Sequence, residues 1–85
     1  MQIKYKPSFL REFKKLPVEI QEEAKEKILL FQDESNHKRL RVHKLQGRLK
    51  DFYSFSVTYS HRIVFIYEDT QTAVLVAVGD HAVYK

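Results

Sequence analysis

The spacing of apolar residues along the first half of the chain predicts one short strand and two helices. Residues 2–5 alternate between polar and apolar types, as in a half-buried strand. The first helix opens at Pro7 and Ser8, with Ser8 as the expected N-cap. Its buried side is expected to carry four apolar residues: Phe9, Leu10, Phe13 and Leu16. Pro17 ends this helix and can begin the next, because the N–H that proline lacks would have no partner at a first helical position.

The second helix is expected to run to about Asp33. Apolar residues recur there at intervals of three or four positions and form one stripe: Ile20, Ala24, Ile28 and Phe31. Acidic residues lie near its N-terminus, where the helix dipole favours negative charge: Glu19, Glu22 and Glu23. Two consecutive amphipathic helices predict a hairpin that covers an apolar surface.

From residue 52 onward the pattern is that of β-strands. The segment FYSFSVTY alternates strictly, which places four apolar residues on one face: Tyr53, Phe55, Val57 and Tyr59. RIVFIY is apolar on both faces apart from Arg62, as expected of a central strand. TAVLVAV is a further strand rich in valine. The element order predicts an α+β fold, with an N-terminal strand and a helical hairpin packed on a mostly antiparallel sheet of about four strands.

Length and composition narrow the class of protein. Eighty-five residues make a single domain, 1–85, and a hydrophobic content of 44% is enough for a packed core. The absence of cysteine excludes disulfides, thiolate nucleophiles and cysteine-based metal sites. The N-terminal segment lacks a signal-peptide pattern, and no apolar run approaches the roughly 20 residues of a membrane span. We therefore expect a compact cytoplasmic protein.

The positive charge is concentrated in residues 37–50, which we call the basic segment. This segment, HKRLRVHKLQGRLK, contains no acid and accounts for the whole formal net charge of +4, since the preceding part is neutral and the following part is acidic. Clustered Lys and Arg bind polyanions by releasing counterions from phosphates. The alternative is a solvated loop. The residues expected to contact RNA are Lys38, Arg39, Arg41, His43, Lys44 and Arg48.

Arg62 is the most informative candidate for chemistry. A guanidinium on an otherwise apolar central strand needs a partner. It could lie at the edge of the strand and pair with Asp51 or Glu68. Alternatively, its planar fork could donate two parallel hydrogen bonds to phosphate oxygens.

Two further candidates, His81 and Tyr84, follow a Gly-Asp break after the last predicted strand. The imidazole of His81 could exchange protons near neutral pH or could be structural. Tyr84 could pack in the core or stack on a base. His61 could assist Arg62 or could lie in the turn beside it. The histidines show no metal-ligand spacing, and neither GxSxG nor a Gly-rich phosphate loop is present.

The segments KLQGRLKDFYSFSVTYSHRIVFIY and VLVAVGDHAVYK together resemble the RelE/ParE superfamily of small bacterial and archaeal toxins. The resemblance covers the whole chain and is greatest to the RelE-type and YoeB-type messenger-RNA interferases. It implies a ribosome-dependent, metal-free endoribonuclease without a cofactor. In such enzymes the ribose 2′-OH attacks the adjacent phosphate and leaves a 2′,3′-cyclic phosphate and a 5′-OH end. The implied partners are mRNA, the ribosome with its 16S rRNA, and a cognate antitoxin protein.

The resemblance also implies roles for individual residues. Arg62 matches the strand arginine that clamps the scissile phosphate. His81 matches a C-terminal histidine that acts on protons, and Tyr84 matches an aromatic residue that stacks on or orients the RNA. This chain has Ser54 and Ser56 where RelE has lysines, and its basic segment has no counterpart of the YoeB glutamate. The general base therefore stays open among three residues: Lys50, His43 and His61.

Two other functions stay open on the sequence alone. One is a ParE-like poison of DNA gyrase without nuclease chemistry. The other is a catalytically inactive, RNA-binding member of the same fold. His81 and Tyr84 favour the nuclease, whereas a missing acid–base partner near Arg62 would favour the inactive form. The antitoxin is expected to contact the helical hairpin and the edge of the sheet.

Overall fold

The computed structural model describes residues 1–80 of the chain. Within that range it contains two helices and five strands, joined in places by short 3-10 turns. In chain order these are β1 (Gln2–Tyr5), α1 (Pro7–Lys14), α2 (Val18–Phe31), β2 (His43–Lys44), β3 (Tyr53–Ser56), β4 (Arg62–Asp69) and β5 (Thr72–Gly79). Neither of these helices is long and apolar enough to cross a membrane. The predicted α+β class, with two helices packed on a mostly antiparallel sheet, is confirmed.

The strands form one sheet in the order β1-β5-β4-β3-β2. Neighbouring strands are antiparallel except β1 and β5, which are parallel. The four predicted strands are present, and β2 is an addition. It has two residues inside the basic segment and forms because His43 and Lys44 pair with β3. Such a short strand has no alternating pattern of its own to predict it.

An irregularity between β4 and β5 keeps large apolar side chains on the face that the helices cover. Ile63 pairs with Val78, whereas Phe65 pairs with Leu75. The interval on β5 is one residue longer than that on β4, so Val76 forms a bulge. Because of this extra residue, Leu75 and Val78 both belong to the buried core.

The core between the helices and the sheet is largely aromatic. Phe31, at the end of α2, is fully buried, and its ring stacks on Phe55 at 4.4 Å and on His37 at 4.7 Å between centroids. Burying a phenylalanine side chain contributes roughly 1.5–3 kcal/mol, and each aromatic pair adds about 0.5–1.5 kcal/mol. The predicted stripe of α2 is confirmed, with Ile20 partly buried and three residues fully buried: Ala24, Ile28 and Phe31.

Two predictions for α1 are wrong. The N-cap is Lys6 rather than Ser8, because Pro7 occupies the first helical position and the cap must precede it. The Ser8 hydroxyl instead donates a 2.7 Å hydrogen bond to the carbonyl of the bulge residue Val76, which ties α1 to β5. Leu10, expected on the buried side, is 45% exposed.

The predicted strand over residues 52–59 is shorter than expected. β3 ends at Ser56, and the chain then turns between Val57 and His61. The His61 carbonyl accepts hydrogen bonds from the backbone N–H groups of Val57 at 2.9 Å and Thr58 at 3.3 Å. Tyr59, expected on the buried face of a strand, lies in this turn and is 96% exposed.

Candidate active site

The face of the sheet away from the helices, which we call the second face, brings some of the predicted site residues together. Side chains alternate along a strand, so the residues between the core positions of β3 and β4 point to this face. The register sets Ser56 beside Arg62 and His43 beside Ser54. Two of the predicted functional residues, Arg62 and His43, therefore share one surface.

A cleft of about 230 Å³ opens at the end of this face, where β3 turns into β4. It contains two arginines, two hydroxyl side chains and one exposed aromatic ring. The lining residues are Arg41, Ser56, Thr58, Tyr59 and Arg62. Arginine and hydroxyl groups are common donors to phosphate, so the composition of the cleft suits a phosphodiester.

The guanidinium of Arg62 is held in the cleft by backbone carbonyls. Its Nη1 donates to the Thr58 carbonyl at 3.0 Å and to the His61 carbonyl at 3.3 Å. The ion pairs found among residues 1–80 do not involve Arg62, and Glu68 pairs with Lys4 at 2.8 Å. The alternative in which Arg62 pairs with Asp51 or Glu68 therefore has no support in this part of the chain. A half-buried cation is therefore oriented by the backbone of its own turn.

The turn that carries those carbonyls is closed by side-chain hydrogen bonds. The Thr58 hydroxyl oxygen accepts from the backbone N–H groups of Ser60 at 3.3 Å and His61 at 3.1 Å. The Nδ1 atom of His61 lies 3.0 Å from the same hydroxyl and 3.3 Å from that of Ser60. His61, a candidate general base, is thus built into the turn beside Arg62, and it does not line the cleft.

Arg41 reaches the cleft through an unusual backbone conformation. Its φ is 60°, and among the described residues it is the one non-glycine residue with positive φ. This left-handed conformation costs roughly 1–2 kcal/mol for a residue with a Cβ atom. The preceding residue is anchored to β3, because Ser56 N–H donates to the Leu40 carbonyl at 2.8 Å. Arg41 and Arg62 consequently line the cleft together with Ser56, which lies beside both chain segments.

His43 lies two residues beyond Arg41 along the same edge of the sheet. Its Nδ1 is 2.8 Å from the Arg41 carbonyl. A carbonyl only accepts, so Nδ1 carries the proton and Nε2 is left as the basic atom of the neutral ring. The ring is exposed. From the spacing of strands and the rise per residue, the His43 Cα atom is about 12 Å from the Arg62 Cα atom. A nucleotide could lie between the two side chains.

Apart from Arg41, the residues of the basic segment do not line the cleft, His43 included. Lys44 pairs with Tyr53, which packs against the core, and so Lys44 points away from the second face. Lys50 follows a 3-10 turn that begins at Gly47, at the end of β3 opposite the cleft. The remaining predicted RNA contacts are exposed but line no part of it: Lys38, Arg39 and Arg48.

His37, the first residue of the basic segment, packs against the core rather than facing solvent. Its ring is half-buried and stacks on Phe31, and its Nε2 donates to the Phe31 carbonyl at 2.8 Å. Just before it, the N–H and hydroxyl groups of Ser35 donate to Asp33. These bonds hold the pKa of Asp33 below its usual range. The start of the basic segment is therefore a fixed structural turn.

His81 and Tyr84 lie outside the described residues. β5 ends at Gly79, which pairs with Arg62, so the last described strand finishes beside the first residue of β4. Among residues 1–80, no cluster of three or more His, Asp or Glu side chains has an arrangement that could hold a metal ion.

Three residues that line the cleft were not among the predicted site residues: Ser56, Thr58 and Tyr59. Tyr59 was assigned to the predicted strand instead. The alternation of apolar residues continues through Val57 to position 59 and so extends the predicted strand too far. The available signal was the composition of residues 58–61, since Thr, Ser and His next to a strand break can close a turn through their side chains.

Several solved structures with the same fold come from toxin–antitoxin complexes. The toxin–antitoxin complex RelBE2 from Mycobacterium tuberculosis matches with a TM-score of 0.74 and 20% identity, over 94% of this chain and 96% of that chain. The YoeB-YefM complex from Staphylococcus aureus matches with a TM-score of 0.73 and 16% identity, over 95% and 97%. The intact E. coli RelBE complex matches with a TM-score of 0.70 and 22% identity, over 93% and 94%. These similarities define a RelE-like toxin fold.

The family follows from the sequence itself. Residues 3–83 match the model of the ParE toxin of type II toxin-antitoxin systems, parDE, and the chain belongs to this family. A comparison with curated protein sequences gives no match. The predicted membership of the RelE/ParE superfamily is confirmed, and the protein is a toxin of a toxin–antitoxin system.

Proposed function

We propose that this toxin is an endoribonuclease that cleaves messenger RNA on the ribosome in the cytoplasm, with Arg62 bound to the scissile phosphate. The observation that carries the proposal is the pair Arg41 and Arg62, which line one cleft together with Ser56. Arg62 is oriented by two backbone carbonyls, so the position of its charge is fixed. A fixed guanidinium fork of this kind suits a phosphate group.

The proposed reaction is a transesterification within the RNA strand. A base removes the proton of a ribose 2′-OH, whose oxygen attacks the adjacent phosphorus. The bond from phosphorus to the 5′-oxygen breaks, and an acid protonates that oxygen. The products are a 2′,3′-cyclic phosphate and a 5′-OH end. Arg41 and Arg62 would stabilise the extra negative charge of the phosphorane. Stabilisation of this kind by fixed donors is usually the largest single term in an enzyme's rate enhancement.

Of the three candidates for the general base, His43 is best supported. The Arg41 carbonyl holds its Nδ1–H, which leaves Nε2 free to accept a proton. His61 is engaged by two hydroxyl groups in the turn, and Lys50 lies at the far end of β3. We propose His81 as the general acid and Tyr84 as an aromatic contact to the RNA, on the family resemblance alone.

The proposed protein partner is an antitoxin that covers the helical hairpin. A groove of about 200 Å³ lies there between the first strand and the two helices. Tyr5 and Leu10 at this groove are 44% and 45% exposed, which leaves apolar surface for a partner to bury. The solved RelBE and YoeB-YefM structures, which share this fold, are complexes of two proteins. We propose that an acidic antitoxin chain folds onto this surface as it binds.

Inhibition of DNA gyrase is the second candidate function. It is favoured by the description of the matching family, which names the ParE toxin. A gyrase poison needs no proton transfer at a phosphate, so replacement of His43 would leave that activity unchanged.

The two candidates are separated by testing both targets with one preparation of toxin. In a reconstituted translation system, the proposed nuclease cuts mRNA in the ribosomal A site and leaves 2′,3′-cyclic phosphate ends. In a supercoiling assay, the same toxin leaves purified gyrase active. Intact mRNA together with inhibited gyrase would overturn the nuclease proposal and support the second candidate.

A further inference from the structure

Tyr59 is more exposed than any other large apolar side chain among the described residues. Its exposure is 96%, against 69% for Leu29 and 67% for Val18. Its ring makes none of the aromatic contacts found in residues 1–80. The fold therefore gains little from an aromatic residue here, and a polar residue would satisfy the same turn.

The turn beneath the ring is held firmly. The Thr58 hydroxyl accepts the N–H groups of the two residues that follow Tyr59, and the Thr58 carbonyl accepts Arg62 Nη1 at 3.0 Å. Thr58 is thus hydrogen-bonded both to the backbone of the turn that carries Tyr59 and to the guanidinium of Arg62. The turn therefore fixes the Tyr59 backbone relative to the Arg62 guanidinium.

Tyr59 also shares the cleft with both arginines. A cationic groove beside an exposed ring is the combination that binds single-stranded nucleic acid, because the cations hold the backbone while every base offers a π-face for stacking. A phosphate between Arg41 and Arg62 would bring a neighbouring base to the rim of the cleft, where the ring lies. Duplex RNA would not present an unstacked base there.

We propose that Tyr59 is a stacking platform for one base of a single-stranded RNA whose phosphate lies against Arg41 and Arg62. This inference deepens the proposed function and takes its ligand from it. Stacking on a ring is tolerant of sequence, so Tyr59 contributes to binding of the strand rather than to choice of base. The residue is a binding residue and takes no proton in the reaction.

The first test measures affinity of the full chain for an uncleavable probe, a fluorescent 2′-O-methyl oligoribonucleotide, by anisotropy. Tyr59→Ala should bind about tenfold more weakly, since each stacked base is worth a factor of this order, and Tyr59→Phe should bind like the wild type. Leu29→Ala, which removes another exposed apolar side chain on the helical side, should leave the affinity unchanged.

The second test uses the absence of tryptophan from the chain. Tyr59→Trp places a single indole at the proposed platform, and its fluorescence should be quenched when the oligonucleotide binds. Tyr5→Trp places the indole on the helical side and should show no quenching. These fluorescence changes report stacking directly and do not depend on catalysis.

Equal affinity of Tyr59→Ala and wild type, with no quenching of Tyr59→Trp, would overturn the inference. The same result accompanied by lost antitoxin binding would assign Tyr59 to a protein interface instead. If Tyr59→Trp fluorescence is quenched by the oligonucleotide but the wild-type toxin leaves ribosome-bound mRNA intact, stacking on residue 59 is supported and the proposed cleavage reaction is overturned.

Discussion

Arg62 and Thr58 are joined by a hydrogen bond of 3.0 Å from the guanidinium Nη1 to the backbone carbonyl. This bond links the first residue of β4 to the turn that precedes it. An arginine bound to carbonyl groups keeps its full positive charge available to a ligand, whereas one paired with a carboxylate is already neutralised. The cleft is therefore prepared for an anion by the backbone of its own turn.

Arg41→Gly should separate the stability of the fold from the activity of the cleft. Glycine adopts a φ of 60° without the steric cost that arginine bears, so the free energy of unfolding should stay within about 1 kcal/mol of wild type. The cleft loses one guanidinium, and mRNA cleavage should fall at least tenfold. Urea unfolding and a cleavage time course measure the two effects.

The matched control is Arg39→Gly, which removes an equal charge from the same segment but from a residue that does not line the cleft. It should leave cleavage within about twofold of wild type. Equal losses of cleavage in both variants would mean that only the net charge of the segment matters.

The two histidines of the basic segment should give opposite results. His37→Ala removes a hydrogen bond and a ring stack on Phe31, so it should lower the free energy of unfolding by about 1–2 kcal/mol. His43→Ala changes an exposed ring and should cost less than about 0.5 kcal/mol. Under conditions where both variants are folded, cleavage should fall about 100-fold or more only in His43→Ala.

A loss of cleavage in His43→Ala alone would show that the loss does not come from a change in the charge of the basic segment, because both histidines belong to that segment. If His43→Ala kept full cleavage, the general base would have to be sought elsewhere, and His61 would be the next residue to replace.

Leu10→Glu should block the antitoxin without harming the toxin. Leu10 is 45% exposed at the groove of the helical hairpin, so a charged residue there should change stability little. It should weaken antitoxin binding tenfold or more, because an acidic partner would meet a new negative charge in an apolar contact. Calorimetry measures the affinity. Gln71→Glu adds the same charge in the turn between β4 and β5 and should bind normally.

Asp33→Asn should change how stability responds to acid. Hydrogen bonds from Ser35 lower the pKa of Asp33 in the folded state, so its ionised form contributes stability above the pKa of the unfolded chain. That contribution is lost as the pH falls through the folded value. Between about pH 5 and pH 2 the wild type should therefore lose more stability than the variant. The measurement is the free energy of unfolding of both proteins as a function of pH. An equal dependence on pH in the two proteins would show that the bonds from Ser35 do not favour the charged form of Asp33.

The sequence was sufficient to predict the elements whose side chains repeat with a clear period. The stripe of α2 shows such a period. The unbroken apolar runs of β4 and β5 were an equally clear signal, because burial selects apolar residues directly. The N-cap of α1 was misassigned because Pro7 takes the first helical position, so the cap is the residue before it, Lys6. β2 depends on pairing with a distant strand, and a two-residue strand carries no periodic signal.

The candidate site was predictable only in part, for a physical reason. Arg62 stands out as the lone charge on an apolar strand, and this is visible in the sequence. Its association with Arg41 depends on a left-handed backbone angle and on the hydrogen bond from Ser56 to Leu40, which join segments far apart in sequence. The exposure of Tyr59 depends on side-chain hydrogen bonds that end the strand pattern early.

The most direct test of the account is the rate of mRNA cleavage on programmed ribosomes by Arg62→Lys, measured under single-turnover conditions. Lysine keeps the charge but lacks the planar fork, and it cannot donate to the two carbonyls and a phosphate in the same geometry. We predict a fall of about 100-fold or more in the rate, with Arg48→Lys, an exposed arginine outside the cleft, as the unaffected control. Cleavage by Arg62→Lys at the wild-type rate would contradict the assignment of Arg62 as the residue that binds the scissile phosphate.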